Sequence, residues 1–337
     1  LRNKALRNEN DDLYDPDYSD MLRVAYTSNF ERGRLAFLVS LLSGRNFETR
    51  TYEKEIEEKS FQTLANGVKE FINETNFKRF LMIIRSTGFV SRSMIRSQNA
   101  LNFAYILYLK LKRDYGNEPN IEHWVRRWFA MSVLTGRYSG SPESKFEQDI
   151  KAIAICDDFS ELLEKVEATE LSDAFWGLRL VQNLTTSSTN APAFKVYLAA
   201  QAAANEQGFL SSAISVKDML IHKGDMHHVF PRAYLKKNGF AQGKYNQIAN
   251  YVFLQQEINI KIADLSPEEY IGQVEAQCDG GELVYGSINK KQTLDENFVT
   301  NCMPLDKALY KLDNYEDFLT YRRQEMAEKI KAYYFKL

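Results

Sequence analysis

The chain has 337 residues, 44% hydrophobic and 26% charged, with a formal net charge of −2. That length suits about two domains of roughly 100–200 residues each, with a composition able to build a core and ordinary for a soluble protein. The near-zero charge excludes a uniformly basic nucleic-acid binder, so any DNA contact has to come from local Lys/Arg patches.

The three cysteines, Cys156, Cys278 and Cys302, are odd in number and show no C-x-x-C spacing. This argues against a disulfide framework or a zinc knuckle and fits a reducing cytoplasm. No apolar run reaches the ~20 residues of a bilayer span, so no membrane partner is expected. The chain starts Leu-Arg-Asn-Lys-Ala, which is polar and unlike a signal peptide, and it does not start with Met. It therefore reads as a piece of something longer, with a domain upstream.

Residues 1–30 are polar, with Asp, Asn, Tyr and Pro clusters, and predict a loose arm. Ser28 or Asn29 then suits the cap of a helix carrying Leu35, Phe37, Leu38, Leu41 and Leu42 and stopped by Gly44. Helical spacing recurs over 52–72, broken at Thr75 and Asn76, and again over 77–84. Ser97 opens a long helix ending near Gly116, and 121–134 predicts another, with Trp124 and Trp128 on its core face. Thr135–Pro142 is a loop. In it, Arg137 and Tyr138 suit either a nucleic-acid contact or a helix–helix connection. Further helices are predicted from Pro142, over 159–166 and over 171–184.

The small, polar, Pro-terminated stretch Thr185–Pro192 is the best linker, dividing a helical domain over 1–190 from a second domain over 191–337. After a helix over 193–205, the helical habit breaks. Val229-Phe230 and Tyr251–Leu254 are β-branched or aromatic, short and bounded by turn residues, and predict strands. Pro267 starts a helix. The last 25 residues form an amphipathic helix, capped by Asp313 or Asn314, with Phe318, Leu319, Arg322, Met326, Ile330 and Tyr333 on one stripe.

The chemistry gathers in that break. Three of the four histidines, His222, His227 and His228, fall within seven residues, and Asn250 and Asn259 follow His228 by 22 and 31 positions. Histidine suits a general base because its pKa lies near neutrality. Neutral imidazole and the asparagine carbonyl both coordinate divalent ions. Asp225 is placed to fix a histidine tautomer or to join a metal shell. The set suggests a metal-dependent phosphodiesterase centre with His228 as base, His227 and Asn259 as ligands, and Asn250 as the brace of the catalytic pair. A strict strand would put His227 and His228 on opposite faces, so a distortion near Pro231 is needed to bring them together. His222 fits no position in the set and reads as a surface residue, and His123, beside Trp124, as structural.

The stretch DMHHVFPRAYL (225–235), with Asn250 and Asn259, resembles the HNH, or ββα-metal, nucleases. There, a ligand–His pair and a proline close the first strand, an asparagine stabilises the fold, and a last His or Asn on the helix binds metal. NQIANYVFLQQEINIKIADLSPEEYI (246–271) is similar more narrowly to the C-terminal nuclease domain of GmrSD-type restriction proteins. VLTGRYSGSPESKFEQDI (133–150) resembles the helical region before that domain.

The resemblance implies a mainly α chain with a ββα element in its C-terminal domain, acting as a DNA endonuclease in restriction or antiviral defence against modified or foreign DNA. It implies one divalent cation; asparagine and phosphate oxygens favour Mg²⁺, while His227 admits Mn²⁺, Ni²⁺ or Zn²⁺. Asp225 becomes a third or outer ligand, and Arg232, Lys236, Lys237, Lys244 and Lys261 become candidate phosphate contacts. The family's usual partner, a nucleotide-hydrolysing sensor domain with an Asp-Gly-Gln-Gln-Arg motif, is absent from these residues and is expected upstream or on a separate protein. The alternative is a helical DNA-binding or partner-docking module whose nuclease site has lapsed.

Overall fold

Helices carry most of the chain, as the periodicity predicts, and the fold is mainly α. A computed structural model describes residues 13–222 and 224–337. These form two compact units: residues 13–87 and 95–172 with Leu337, and residues 88–94 and 173–336. The stretch expected as a linker lies within the second unit, where 185–191 form a loop and Pro192 opens a helix.

In the first unit the expected loose arm differs from the structure. Residues 1–12 lie outside the described residues, but Tyr18–Phe30 is a helix, α1, whose capping box joins Asp17 and Asp20. Its face of Met21, Val24, Ala25 and Tyr26 is buried, a short apolar stretch set within a mostly polar segment. Ser28 is consequently inside a helix, its hydroxyl bonded to the Val24 carbonyl at 2.8 Å, and caps nothing. The helices Ala36–Leu42 (α2), Lys54–Phe71 (α3), Glu74–Ser86 (α4), Gln98–Tyr115 (α5), Ile121–Thr135 (α6), Pro142–Ile155 (α7) and Phe159–Glu170 (α8) follow. α1 packs on α3 and α5, and α5 on α6. Every residue of α5 from Ala100 to Leu111 is buried, as expected of a helix wrapped on all sides.

Arg137 and Tyr138 belong to this core. The Arg137 guanidinium grips both Asp149 oxygens at 2.7 and 2.8 Å and Glu170 at 2.6 Å. Tyr138 donates to Asp149 and accepts from the Trp128 indole. With the Arg137 and Asp149 side chains only 4% exposed, the nucleic-acid alternative for this loop gives way to a helix–helix connection.

The second unit contains a π-helical turn at Phe175–Arg179 and helices Leu180–Asn183 (α9), Pro192–Ala203 (α10) and Val216–Ile221 (α11). Strand β1 (Met226–His228) comes next, followed by helices Arg232–Lys237 (α12) and Gln242–Tyr245 (α13) and strand β2 (Tyr251–Phe253). Helices Gln256–Ile262 (α14), Pro267–Cys278 (α15), Lys291–Thr300 (α16) and Tyr315–Tyr334 (α17) complete it. β1 and β2 pair antiparallel, with Met226 opposite Phe253, His227 opposite Val252 and His228 opposite Tyr251.

Three-residue strands are too short to be stable by themselves. Their support is an apolar core that includes Val229, Phe230, Ala249, Val252, Tyr270 and Phe318. The predicted stripe of α17 is buried at Phe318, Leu319, Arg322, Met326, Ile330 and Tyr333. Among the described residues the three cysteines are free, and no helix is long and apolar enough to cross a membrane.

Candidate active site

The sequence predicts a strand through Val229 and Phe230, but the ladder stops at His228. The Val229 N–H still donates to the Asn250 carbonyl at 2.8 Å. At Phe230 a side chain takes over from the strand. The Phe230 N–H donates to Asn250 Oδ1 at 2.8 Å, and Asn250 Nδ2 donates back to the Phe230 carbonyl at 3.1 Å and to that of Tyr245 at 3.2 Å. The Phe230 ring is wholly buried between Tyr315 and Phe318. Its hydrophobicity, read as a strand signal, serves the core at a turn. Pro231, at φ −55°, then leads into α12.

His227 and His228 line the same cleft, of about 540 Å³, despite adjacent positions in an alternating strand. Pro231, Arg232, Lys236 and Asn259 share it. Asn250 does not: it is fully buried, its amide spent on backbone, so it braces the loop from outside the cleft. Asp225 is exposed ahead of β1 and is not among the residues lining the cleft.

Both imidazoles are pushed below the usual histidine range, chiefly by burial. At His227 the Asp225 carboxylate opposes this shift. At His228 a hydrogen bond to Asn246 opposes it, while Arg232 and His227 reinforce it. Both rings are therefore neutral at pH 7, the form that accepts a proton or coordinates a metal. His228 Nε2 is engaged by Asn246 Oδ1 at 3.0 Å.

His227 Nε2 is buried with no hydrogen-bond partner. Such an atom costs about 1–3 kcal/mol unless something fills its lone pair or takes its proton. A divalent cation would do so, and the Asn259 carboxamide in the same cleft offers it an oxygen. The residues present thus fit a cation held by His227 and Asn259. Among the described residues no three His, Cys, Asp or Glu side chains gather to hold a metal.

The five basic candidates divide. Arg232 and Lys236, one helical turn apart on α12, line the cleft. Lys237 is exposed on the same helix outside it. Lys244 is paired with Glu316 at 2.9 Å, and Lys261 donates to the Val284 carbonyl at 2.7 Å, so neither lies free at the cleft.

No family model matches this chain, and no solved structure matches it. It is 25% identical over 225 residues to an uncharacterised protein of Methanocaldococcus jannaschii, a stretch covering 61% of this chain. The match spans about a third, 36%, of that protein's length.

Three supporting residues escaped the reading of the sequence. Asn246 holds His228, and nothing in its spacing marked it. The Tyr270 hydroxyl donates to the Val229 carbonyl at 2.9 Å, next to the histidine pair; the Pro267-x-x-Tyr270 phrase was visible but its purpose was not. Arg322, fully buried, donates to the carbonyls of Ala249 at 2.7 Å and Tyr251 at 2.9 Å on one side, and of Asn301 at 3.1 Å and Cys302 at 3.3 Å on the other. A long cation on an apolar stripe was the signal available for it.

Proposed function

We propose that the second unit is a metal-dependent endonuclease of the HNH kind, with β1, β2 and α14 as its ββα element and DNA as substrate. The observation that carries the reading is the shared cleft. It combines a neutral histidine held through one ring nitrogen, a second histidine with a buried unpartnered nitrogen, an asparagine and two cationic side chains. In this reading His228 takes the proton from the attacking water, and its neutral state makes it competent near pH 7. Arg232 and Lys236 hold the phosphate and set the register of the backbone. His227 and Asn259 hold one divalent ion, Mg²⁺ by preference, which when bound stabilises charge on the phosphate and the leaving oxygen. Asn250 keeps the turn that places both histidines together. A part in defence against modified or foreign DNA, and an upstream or separate nucleotide-hydrolysing sensor, rest on the family resemblance, while a cytoplasmic setting rests on the odd number of cysteines and their lack of C-x-x-C spacing.

One observation favours the rival reading of a lapsed, non-catalytic module: Asp225 stands outside the cleft, leaving His227 and Asn259 as a two-donor set. Plasmid nicking with Mg²⁺ or Mn²⁺, on plain and base-modified DNA, separates the two. Metal-dependent nicking that disappears in His228→Ala is expected. Equal nicking by both proteins removes His228 as the base. No nicking by either, together with no shift of the thermal midpoint on adding divalent ion, selects the lapsed module.

A further inference from the structure

An imidazole has two nitrogens, and a general base uses one. At His228 the choice is settled by its neighbour. Nε2 lies 3.0 Å from Oδ1 of Asn246. A carboxamide oxygen has no proton to give, so Nε2 carries the hydrogen and Nδ1 the lone pair. The ring is also flanked edge-on by Tyr251, its cross-strand partner, with centroids 4.9 Å apart and planes at 87°.

Asn246 is itself firmly placed. Its N–H donates to the Gln242 carbonyl at 3.0 Å. The carbonyl of Tyr245 before it takes Asn250 Nδ2, and the carbonyl of Lys244 takes the Tyr315 hydroxyl at 3.0 Å. After it, the Gln247 amide donates to the Gly243 carbonyl at 2.6 Å and the Ile248 N–H to the Thr186 carbonyl at 2.9 Å. The loop is tied on both sides of the residue that meets the histidine.

We propose that Asn246 is a positioning residue that locks the His228 ring with Nε2–H directed at its carboxamide and Nδ1 as the nitrogen that accepts the proton. Asn250 then acts on His228 through this loop, at one remove. The lock stands on the hydrogen bond; only its use in proton abstraction rests on the nuclease reading.

The test uses the full chain labelled with ¹⁵N-histidine. A hydrogen-bonded Nε2–H exchanges slowly enough to give a proton signal at neutral pH, and loss of the signal in His228→Gln assigns it. The wild type is expected to show it, Asn246→Asp to keep it because a carboxylate still accepts, and Asn246→Ala to lose it. In plasmid nicking, Asn246→Ala is expected to lower kcat about ten- to hundredfold with KM unchanged, and Asn246→Asp to recover part of the loss.

A wild type without the His228 Nε2–H signal, or an Asn246→Ala variant that retains it, overturns the proposal whatever the nicking shows. The expected spectra, with no nicking by wild type and no shift of its thermal midpoint on adding divalent ion, keep the lock and remove the nuclease reading. If Asn246→Ala does not fold, the wild-type and Asn246→Asp spectra decide the matter alone.

Discussion

Replacing Asn250 by alanine tests the turn on which the site depends. The side chain is fully buried and makes three hydrogen bonds, all to backbone. Its removal strands the Phe230 N–H in a core with no route to water, a loss of about 1–3 kcal/mol for a buried donor. The carbonyls of Phe230 and Tyr245 each lose a bond, at about 0.5 kcal/mol apiece since a carbonyl has a second lone pair. The sum is about 2–4 kcal/mol, a large part of the ~5–15 kcal/mol typical of a domain. Asn250→Asp keeps the size and the acceptor facing Phe230 but turns an oxygen toward two carbonyls, so it is expected to be at least as harmful. Urea unfolding followed by amide exchange of peptides from 226–260 reads the second unit by itself. A loss below about 1 kcal/mol for Asn250→Ala, or a neutral Asn250→Asp, would show that the Phe230 N–H has another partner and that the brace is not where we place it.

Other outcomes follow from the same structure. Arg322→Met is expected to cost the second unit about 3–5 kcal/mol in urea titrations because three buried carbonyls and one part-buried one lose their donor, and Arg322→Lys should not rescue it, since an ammonium cannot span that fork. His227 and His228 have folded-state pKa values lowered by burial, so the stability tied to their neutral forms is full above the unfolded value of about 6.5 and is lost as pH falls from there through the lowered values. Urea midpoints at descending pH should show this loss, and it should shrink in a His227→Gln/His228→Gln double variant. Arg232→Ala and Lys236→Ala should each weaken DNA binding and reduce its salt slope by about one, whereas Lys244→Ala and Lys261→Ala should do neither. His227→Ala should abolish thermal stabilisation by Mn²⁺; a midpoint that still rises with the ion would place the cation elsewhere.

What was legible in the sequence was whatever repeats along it. The apolar periods of α3, α5, α6 and α17 were visible because apolar residues recur in each over several turns. α1 was missed because its apolar run, Met21 to Tyr26, is short and flanked by polar residues. The first strand ends two residues earlier than predicted because Phe230, apolar for the sake of the core, mimicked a strand end whose hydrogen bonds are in fact taken by a side chain. At the site, His227, His228, Asn250 and Asn259 stood out by type and spacing. Asn246 did not, since a hydrogen bond across eighteen residues leaves no mark in a linear pattern. Lys244 and Lys261 could not be told from cleft residues by charge alone, because their partners, Glu316 and the Val284 carbonyl, are distant in the chain.

The Arg322 fork bears on how portable this element is. The two strands and the helix after them span fewer than forty residues, from Met226 to Ile262, and invite excision as a minimal module. Yet the carbonyls at the entry of β2 are held by a side chain sixty residues beyond α14, on the helix Tyr315–Tyr334. A graft cut at Ile262 would carry the histidines and leave behind the cation that fixes the strand opposite them. Grafts that end before Arg322 should lose the geometry of the cleft while keeping every residue that lines it.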